Sequence, residues 1–398
     1  MSQILFNCCL LFLVFNIFSC ASEKTEHQLH TLIVDLEKVT KGKASDYFEA
    51  IDYVWFDDES NPEASIGVFH RIIEHKDRYY LFDEDICVCF YIFSSEGLFI
   101  KKVKGFGEGP GSYQYPSSFQ IIKDTIRLND IFQNKILHFD LDGNWIKDAP
   151  QQLSANEIYI DKTGSSFHQS MSYLLNNSKN QIRVFDSNGD LNFEGFPYDE
   201  RISTLKVKNR MPFIELDKGV IFKDDYLDTI YIIKGFNAEP YLAFDFKGKG
   251  FKDRDFNKVQ GLDHFQIVDF INKRSPLHFM GRAIISDKFF LGGFKYLDGA
   301  FIATYDFEEK TSKVHHWQLV NDIDEGPGIY LPDRINEEWA YTYTTGKDLY
   351  LHIKSLQSKM TSTDWEEFQE GKGKKLVSTA KRARSSENRI LILLKWKK

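Results

Sequence analysis

The chain has 398 residues, of which 42% are hydrophobic and 15% aromatic, and its formal net charge is −8 at neutral pH. An acidic chain without a basic stripe argues against a nucleic-acid partner, because binding to nucleic acid needs clustered Lys and Arg. The 25 glycines and ten prolines exclude a collagen-like or broadly disordered chain. The length exceeds that of most single domains, but all-β folds of this size exist as one domain.

The N-terminal segment has the features of an export signal. An apolar run from Ile4 to Phe18 ends at Ser19 and Cys20. The run is too short for a membrane span but typical of a secretory signal. A small residue directly before Cys is typical of bacterial lipoproteins, in which the cysteine becomes the lipidated N-terminus. We predict a signal peptide over residues 1–19, lipidation at Cys20 and a tether over residues 20–31. An ordinary secretory signal is the alternative.

A hairpin pattern recurs four times at a fixed spacing of 46 residues, at Phe93–Gly97, Phe139–Gly143, Phe185–Gly189 and Tyr231–Gly235. Each aromatic residue ends a β-like run, and the glycine marks a turn. Further β-like runs upstream, such as Arg78–Asp83 and Thr125–Asp130, bring each unit to about four strands. A repeat of this length with several strands predicts a β-propeller. We therefore predict that residues 32–398 form a single all-β, six-bladed propeller with four-stranded blades. Seven blades, a sandwich or a barrel are the alternatives.

Two cysteines remain once the signal is removed and Cys20 is acylated. Cys87 and Cys89 lie two residues apart on a predicted strand, so their side chains share one face. A disulfide between them would bend a regular strand, and a metal site would need more ligands. We expect buried thiols.

One loop motif occurs twice, as Glu108-Gly-Pro-Gly-Ser-Tyr113 and as Glu325-Gly-Pro-Gly-Ile-Tyr330. Glycine on both sides of proline predicts a rigid loop, with each tyrosine packed beneath it. The functional interpretation is a ligand-binding loop, and the alternative is a brace between blades. The candidate binding residues are Gly107, Glu108, Gly109, Pro110, Gly111, Tyr113, Glu325, Gly326, Pro327, Gly328 and Tyr330.

Three aspartates, Asp83, Asp130 and Asp224, end equivalent predicted strands. They are candidate carboxylates at the mouth of the axial channel, where they would bind a cation or sugar hydroxyls. Their equivalence favours a structural role repeated in each blade at least as strongly. Asp140-Leu-Asp-Gly143 lacks the spacing of a calcium loop and indicates a hairpin turn. No cofactor is predicted, although a divalent cation is possible and any metal ligands are unknown.

The C-terminal part is less regular. The segment from Gly248 to Met280 interrupts the repeat as an insertion, and Asp348–Ile353 is predicted as a strand of the last blade. The first part of the polar run from Thr361 to Asn388 is short and has helical character. For its basic cluster, Lys381, Arg382 and Arg384, we expect a solvated loop, with a partner-binding patch as the alternative.

Several motifs together identify a family resemblance: Ser19-Cys20, Ile51–Phe56, Tyr80–Asp83, Phe93–Gly97, Gly107–Tyr113, Asn321–Gly328 and Ile390–Trp396. With these motifs the chain resembles the six-bladed β-propeller lipoproteins of Bacteroidetes, whose blades are NHL-like. One departure is Asn388-Arg389, where that family usually has Asn-Pro. The resemblance implies an exported protein that is anchored by lipid in the outer membrane, on its periplasmic or cell-surface side.

Two functions remain open. The first is a binding or scaffold module at the cell envelope, which holds a glycan, a peptide or an envelope protein on its loop face. The second is a metal-dependent lyase or hydrolase with its site at the mouth of the axial channel. An enzyme of that kind needs three or more ligating side chains that converge from different blades.

Overall fold

The computed structural model describes residues 29–59, 61–151, 153–170, 179–199, 201, 205 and 211–397. Six sheets form the blades of a ring, which confirms the predicted six-bladed β-propeller. Strands are counted here from the axis outward, and the first four strands of each blade are antiparallel to their neighbours. The predicted signal peptide and most of the tether lie outside the described residues.

The first three blades each contain four strands in chain order. Blade 1 contains Arg71–His75, Arg78–Asp83, Cys89–Ser94 and Phe99–Lys104. Blade 2 contains Pro116–Ile122, Thr125–Asp130, Lys135–Phe139 and Trp145–Pro150. Blade 3 contains Glu157–Ile160, Ser166–Gln169, Asn180–Phe185 and Leu191–Pro197.

The last three blades each take an outer strand from the N-terminal segment. Blade 4 contains Phe213–Leu216, Gly219–Phe222, Thr229–Lys234, Asn237–Asp245 and the parallel strand His30–Ile33. Blade 5 contains His278–Ile285, Phe289–Tyr296, Gly299–Asp306, Thr311–His316 and the parallel strand Val39–Thr40. Blade 6 contains Asp333–Arg334, Trp339–Thr345, Arg389–Trp396 and, antiparallel to the last of these, Phe48–Trp55. The last two tether residues, His30 and Thr31, therefore belong to the propeller.

The four repeated hairpins join the third and fourth strands of blades 1 to 4. Their glycines have φ values of +83°, +70°, +91° and +54° at Gly97, Gly143, Gly189 and Gly235, a region that residues with a Cβ rarely adopt. Asp140 Oδ1 accepts hydrogen bonds from the backbone N–H groups of Asp142 and Asn144 at 3.0 and 2.8 Å. This carboxylate thus holds a turn, as the hairpin interpretation predicts.

Two helical insertions interrupt the ring in the part of the chain that the structure describes. Between blades 4 and 5 lie α1 (Asp253–Asn257) and α2 (His264–Lys273), within the predicted insertion. Between the second and third strands of blade 6 lie α3 (Gly346–Gln357), α4 (Ser362–Glu370) and α5 (Lys374–Arg382). Short 3-10 turns occur at Leu36–Lys38, Ala44–Asp46 and Pro62–Ala64, and a small ladder joins Gln318–Leu319 to Ile329–Tyr330. In the described part of the chain, no helix has the length and apolar character required to cross a bilayer.

The second insertion corrects two predictions. Asp348–Ile353 is helical rather than extended, because Thr345 caps the helix at the Asp348 N–H and Leu349 and Ile353 bury one face of it. The segment with the basic cluster, expected as a solvated loop, is also largely helical, and the helices after Thr361 bury Trp365 and Leu376 against blade 6. The charged residues in this stretch occupy the outer helix faces and conceal the apolar periodicity.

A further correction concerns the cysteines. Cys87 and Cys89 form a disulfide, with their Cα atoms 5.2 Å apart. The strand begins only at Cys89, and Val88 has a φ of +48°. Free thiols were expected because a regular strand was predicted through both cysteines. The left-handed backbone conformation of Val88 shows that the strand is not regular there.

Each contact between neighbouring blades is here called a seam. Clusters of buried apolar side chains fill the seams 1–2, 3–4, 4–5, 5–6 and 6–1. Among the described residues, no such cluster spans the 2–3 seam, where polar side chains meet instead.

Candidate functional site

The candidate site is a cavity of about 1400 Å³ on the propeller axis. The innermost strands of all six blades line it, and α2 contributes Ile271 and Asn272 at one end. That end is the loop face, which carries the crossovers between blades and the turns between second and third strands. A large concave site with both aromatic and charged walls is the usual location for ligand binding in a fold of this kind.

The loop-face end contains two buried basic groups. His278 stacks on Tyr226 with ring centroids 4.5 Å apart, and burial lowers the pKa of His278 to about 4. Lys223 Nζ donates a hydrogen bond to the Gly281 carbonyl at 2.7 Å, and burial lowers the pKa of Lys223 to about 8. Asp333 and Asp225 act against that shift. This end of the cavity therefore mixes positive and negative groups.

Hydrogen bonds across the axis connect blades that are not neighbours. Arg71 Nη2 contacts Glu157 Oε1 at 2.9 Å and so links blades 1 and 3. Arg334 Nη1 donates to the Glu215 carbonyl at 2.8 Å and links blades 6 and 4. Tyr159 donates its hydroxyl to Glu215 Oε2 at 2.6 Å, and burial raises the pKa of this tyrosine. The side chains thus fix the shape of the cavity as well as its polarity.

The first predicted loop is held by its own contacts and lies outside this cavity lining. Tyr113 is fully buried and donates its hydroxyl to the Val88 carbonyl at 3.0 Å. Gly109 and Gly111 have positive φ, as the rigid-loop argument expects. Lys135 Nζ reaches the Gly109 carbonyl at 2.8 Å. Exposed Glu108 accepts a hydrogen bond from Gln114. These contacts favour the brace between blades 1 and 2.

The second loop uses the same sequence differently. Tyr330 is 51% exposed, and Ile329 is buried in its place, so the expectation that Tyr330 packs beneath the loop is wrong. Positive φ falls on Glu325 instead of a glycine. A Cβ at Gly326 would meet the Tyr53 hydroxyl, and a Cβ at Gly328 would meet Gln318. The carbonyl of Glu325 accepts a hydrogen bond from His352 of α3 at 2.8 Å. Close packing against Tyr53 and Gln318 therefore explains the glycines around Pro327.

The three strand-end aspartates lie outside the cavity lining. Asp83 is fully buried and accepts hydrogen bonds from the backbone N–H groups of Asp85, Ile86 and Cys87. Asp130 accepts four backbone N–H groups of its own turn and the preceding loop, at 2.6 to 3.3 Å. Asp224 is 3% exposed and bonds the next N–H. This geometry favours the repeated turn-stabilising role over ligand binding.

One group of potential metal ligands lies near the cavity. His70, Glu84 and Asp85 each offer a ligand atom, and these three atoms lie within 4.8 Å of one another. His70 Nε2 is 3.1 Å from Asp85 Oδ2, which is an ordinary ion-pair contact. All three residues belong to blade 1, so ligands from different blades do not converge here.

Sequence reasoning missed the residues that line the cavity. Each innermost strand contributes only a few polar positions, such as Arg71, Glu157, Glu215, Arg282 and Arg334. These positions are far apart in the chain and form no contiguous motif. A usable signal was the charged residue on the first strand of five blades, whereas Pro116–Ile122 of blade 2 carries Gln120 instead.

Solved structures support the fold. A Bacteroides fragilis protein, whose description places it among exported proteins, is 14% identical, with a TM-score of 0.66 over 93% of this chain and 100% of that one. A Bacteroides vulgatus member of the DUF4221 family is 10% identical, with a TM-score of 0.47 over 88% of this chain and 97% of that one. The second likeness is too distant to support an argument.

Among curated proteins, no sequence matches this one. A family model matches residues 31–395, which is nearly the whole propeller. The chain belongs to the family described as Domain of unknown function (DUF4934).

Proposed function

We propose that this protein is an exported, lipid-anchored binding module whose ligand occupies the axial cavity. The cavity of about 1400 Å³ is the observation that carries the proposal. Its volume exceeds that of a typical small-molecule site, which suits a glycan, a peptide or a segment of an envelope protein. The ligand would be held on the axis rather than by the two Glu-Gly-Pro-Gly loops.

The state of the charged groups favours binding over catalysis. Glu157 contacts Arg71, Glu215 accepts the Tyr159 hydroxyl, and Asp333 lies 3.3 Å from Arg282. Groups in such pairs fix a shape and offer hydrogen bonds. A general acid or base needs a proton that it can exchange with the substrate.

The test uses a blocked cavity. Asn272 lines the cavity from α2, whereas the exposed Val268 on the same helix does not. Thermal-shift and tryptophan-fluorescence titrations with oligosaccharides and peptides compare the wild type with Asn272→Trp and Val268→Trp. We expect a saturable response in the wild type and in Val268→Trp that Asn272→Trp abolishes. Binding that survives Asn272→Trp, or no binding across the panel, contradicts the proposal.

The anchor is a separate part of the proposal. Support comes from the apolar run, from Ser19-Cys20 and from the exported character given for the Bacteroides fragilis protein. Mass spectrometry of the mature N-terminus should find a diacylated Cys20 in the membrane fraction, and Cys20→Ala should release the protein. An unmodified cysteine in a soluble mature chain would contradict lipidation.

The metal-dependent enzyme stays the second candidate, and the group of His70, Glu84 and Asp85 favours it. One nitrogen and two carboxylate ligands suit a divalent transition metal. Metal analysis before and after chelation tests it, with His70→Ala as the variant and the exposed His316 as the control position. A stoichiometric metal that His70→Ala loses would support the candidate, and a metal-free wild type would count against it.

A further inference from the structure

The 2–3 seam brings two rows of side chains together. On blade 2 the strand register aligns Gln120, Arg127, His138 and Lys147 on one face. On blade 3 it aligns Ile158, His168, Arg183 and Glu194. Both rows lie opposite the apolar faces that fill the neighbouring seams, because side chains alternate along a strand.

Direct contacts show that the two rows face each other. Gln120 Nε2 donates to the Ile160 carbonyl at 2.8 Å, and the Ile160 N–H donates back to Gln120 Oε1 at 3.0 Å. The charge of Arg127 on blade 2 contributes to lowering the pKa of His168 on blade 3, after the larger effect of burial. Arg127 therefore acts across the seam.

The seam carries more positive than negative charge. Arg127, Lys147 and Arg183 are its cations, and Glu194 is the one carboxylate in the two rows. Glu194 already contacts Arg183 Nε at 2.8 Å. A positively charged seam is unexpected in a chain whose net charge is −8.

Arg127 makes neither a hydrogen bond nor an ion pair within the described part of the chain. Burial lowers its pKa, so the guanidinium is partly desolvated and has no partner among the described residues. A small void of about 10 Å³ adjoins Arg127, Gln120 and Ile158, which is close to the room one water-sized particle needs.

His168 lies in the facing row of blade 3. It is 5% exposed, and its Nδ1 makes no hydrogen bond to a described residue. The Leu153 backbone acts against the lowering of its pKa by burial. Its Nε2 lies 3.1 Å from the Ser166 hydroxyl.

We propose that the 2–3 seam binds a small inorganic anion, of the size of chloride, against the guanidinium of Arg127. The anion supplies the negative charge that the two rows lack, and it accepts hydrogen bonds from the guanidinium of Arg127. It lies between two blades that share no apolar cluster among the described residues. This site is independent of the ligand in the axial cavity.

The test titrates chloride into the full mature chain at constant ionic strength, with gluconate as the replacing anion. The readouts are the melting temperature and the chloride NMR line width. Arg127→Met removes the cation, Arg127→Lys keeps it, and Arg384→Gln removes an exposed arginine outside the seam. We expect a saturable response in the wild type and in Arg384→Gln, and an affinity weaker by about tenfold or more in Arg127→Met.

Arg127→Lys distinguishes binding from a general effect on folding, because it should keep a measurable response. A wild type without a saturable chloride response overturns the proposal. So does a response that persists at full strength in Arg127→Met.

Discussion

The two faces of blade 2 differ in what holds them to their neighbours. On the strand Thr125–Asp130, the fully buried Ile126 and Leu128 pack against blade 1, whereas Arg127 points to blade 3. The 1–2 seam adds stacked rings, with Phe82 and Phe119 centroids 5.1 Å apart and only 8° from parallel. One strand therefore serves a seam held by apolar burial and another held by polar contacts. The first should be insensitive to pH and salt, and the second should respond to both.

The largest effect should come from the apolar seam. Phe119→Ala leaves a void beside Phe82 and Phe90 and should lower the free energy of unfolding by about 3–5 kcal/mol. Urea unfolding at neutral pH measures the change. A loss below about 1 kcal/mol would mean that the seam relaxes to fill the void. The 1–2 seam and the 2–3 seam would then differ little in their contribution to the free energy of unfolding.

The polar seam should weaken in acid. Burial lowers the pKa of His168 from 6.5 to about 4, so between these values the unfolded chain binds a proton that the folded chain does not. The free energy of unfolding should therefore fall as pH drops from 6.5 to about 4, by up to about 3 kcal/mol from this residue. Urea unfolding across this range, with His168→Gln beside His316→Gln, measures the share of His168. An unchanged slope in His168→Gln would contradict the assignment.

Removal of the Arg127 charge, which has no partner among the described residues, should increase the free energy of unfolding when chloride is absent. Arg127→Met keeps most of the side-chain volume and removes a charge that is partly desolvated. In gluconate buffer the variant should be more stable than the wild type by about 1 kcal/mol. Thermal melting checks this, and a clear loss of stability would show that Arg127 contributes to the seam without an anion.

The smallest effect should come from Glu194. Its contact with Arg183 is partly open to water, with side-chain exposures of 17% for Arg183 and 32% for Glu194. Glu194→Gln should cost less than about 1 kcal/mol, and less still in high salt. A double-mutant cycle with Arg183→Met measures the pair. A larger coupling energy between Arg183 and Glu194 would mean that the outer edge of the seam contributes as much to stability as its interior.

The sequence predicted the parts of the fold that repeat. The hairpins at Phe93, Phe139 and Phe185 have the same turn because each joins the third and fourth strands of its blade. The second insertion does not repeat, and Asp348–Ile353 alternates locally like a strand although its longer pattern is helical. A local hydrophobic pattern predicts the secondary structure only where tertiary packing does not favour another conformation.

The site was less accessible from sequence than the fold. The Glu-Gly-Pro-Gly loops were predicted as binding loops because glycine and proline form a recognisable motif. In the structure these loops are tightly packed. The axial cavity and the 2–3 seam are made of single residues from distant strands, such as Arg71, Arg127 and Arg334. Only the ring brings them together, so no short segment indicates either site.

The N-terminal segment has a consequence for the order of assembly. The strands His30–Ile33, Val39–Thr40 and Phe48–Trp55 are synthesised first, yet their partners are Asn237–Asp245, Thr311–His316 and Arg389–Trp396. Contacts between such distant parts of a chain form slowly. The strand Phe48–Trp55 therefore has no partner until the last strand, Arg389–Trp396, has been synthesised. Blade 6, and with it the closed ring, forms only when the two ends of the propeller segment meet.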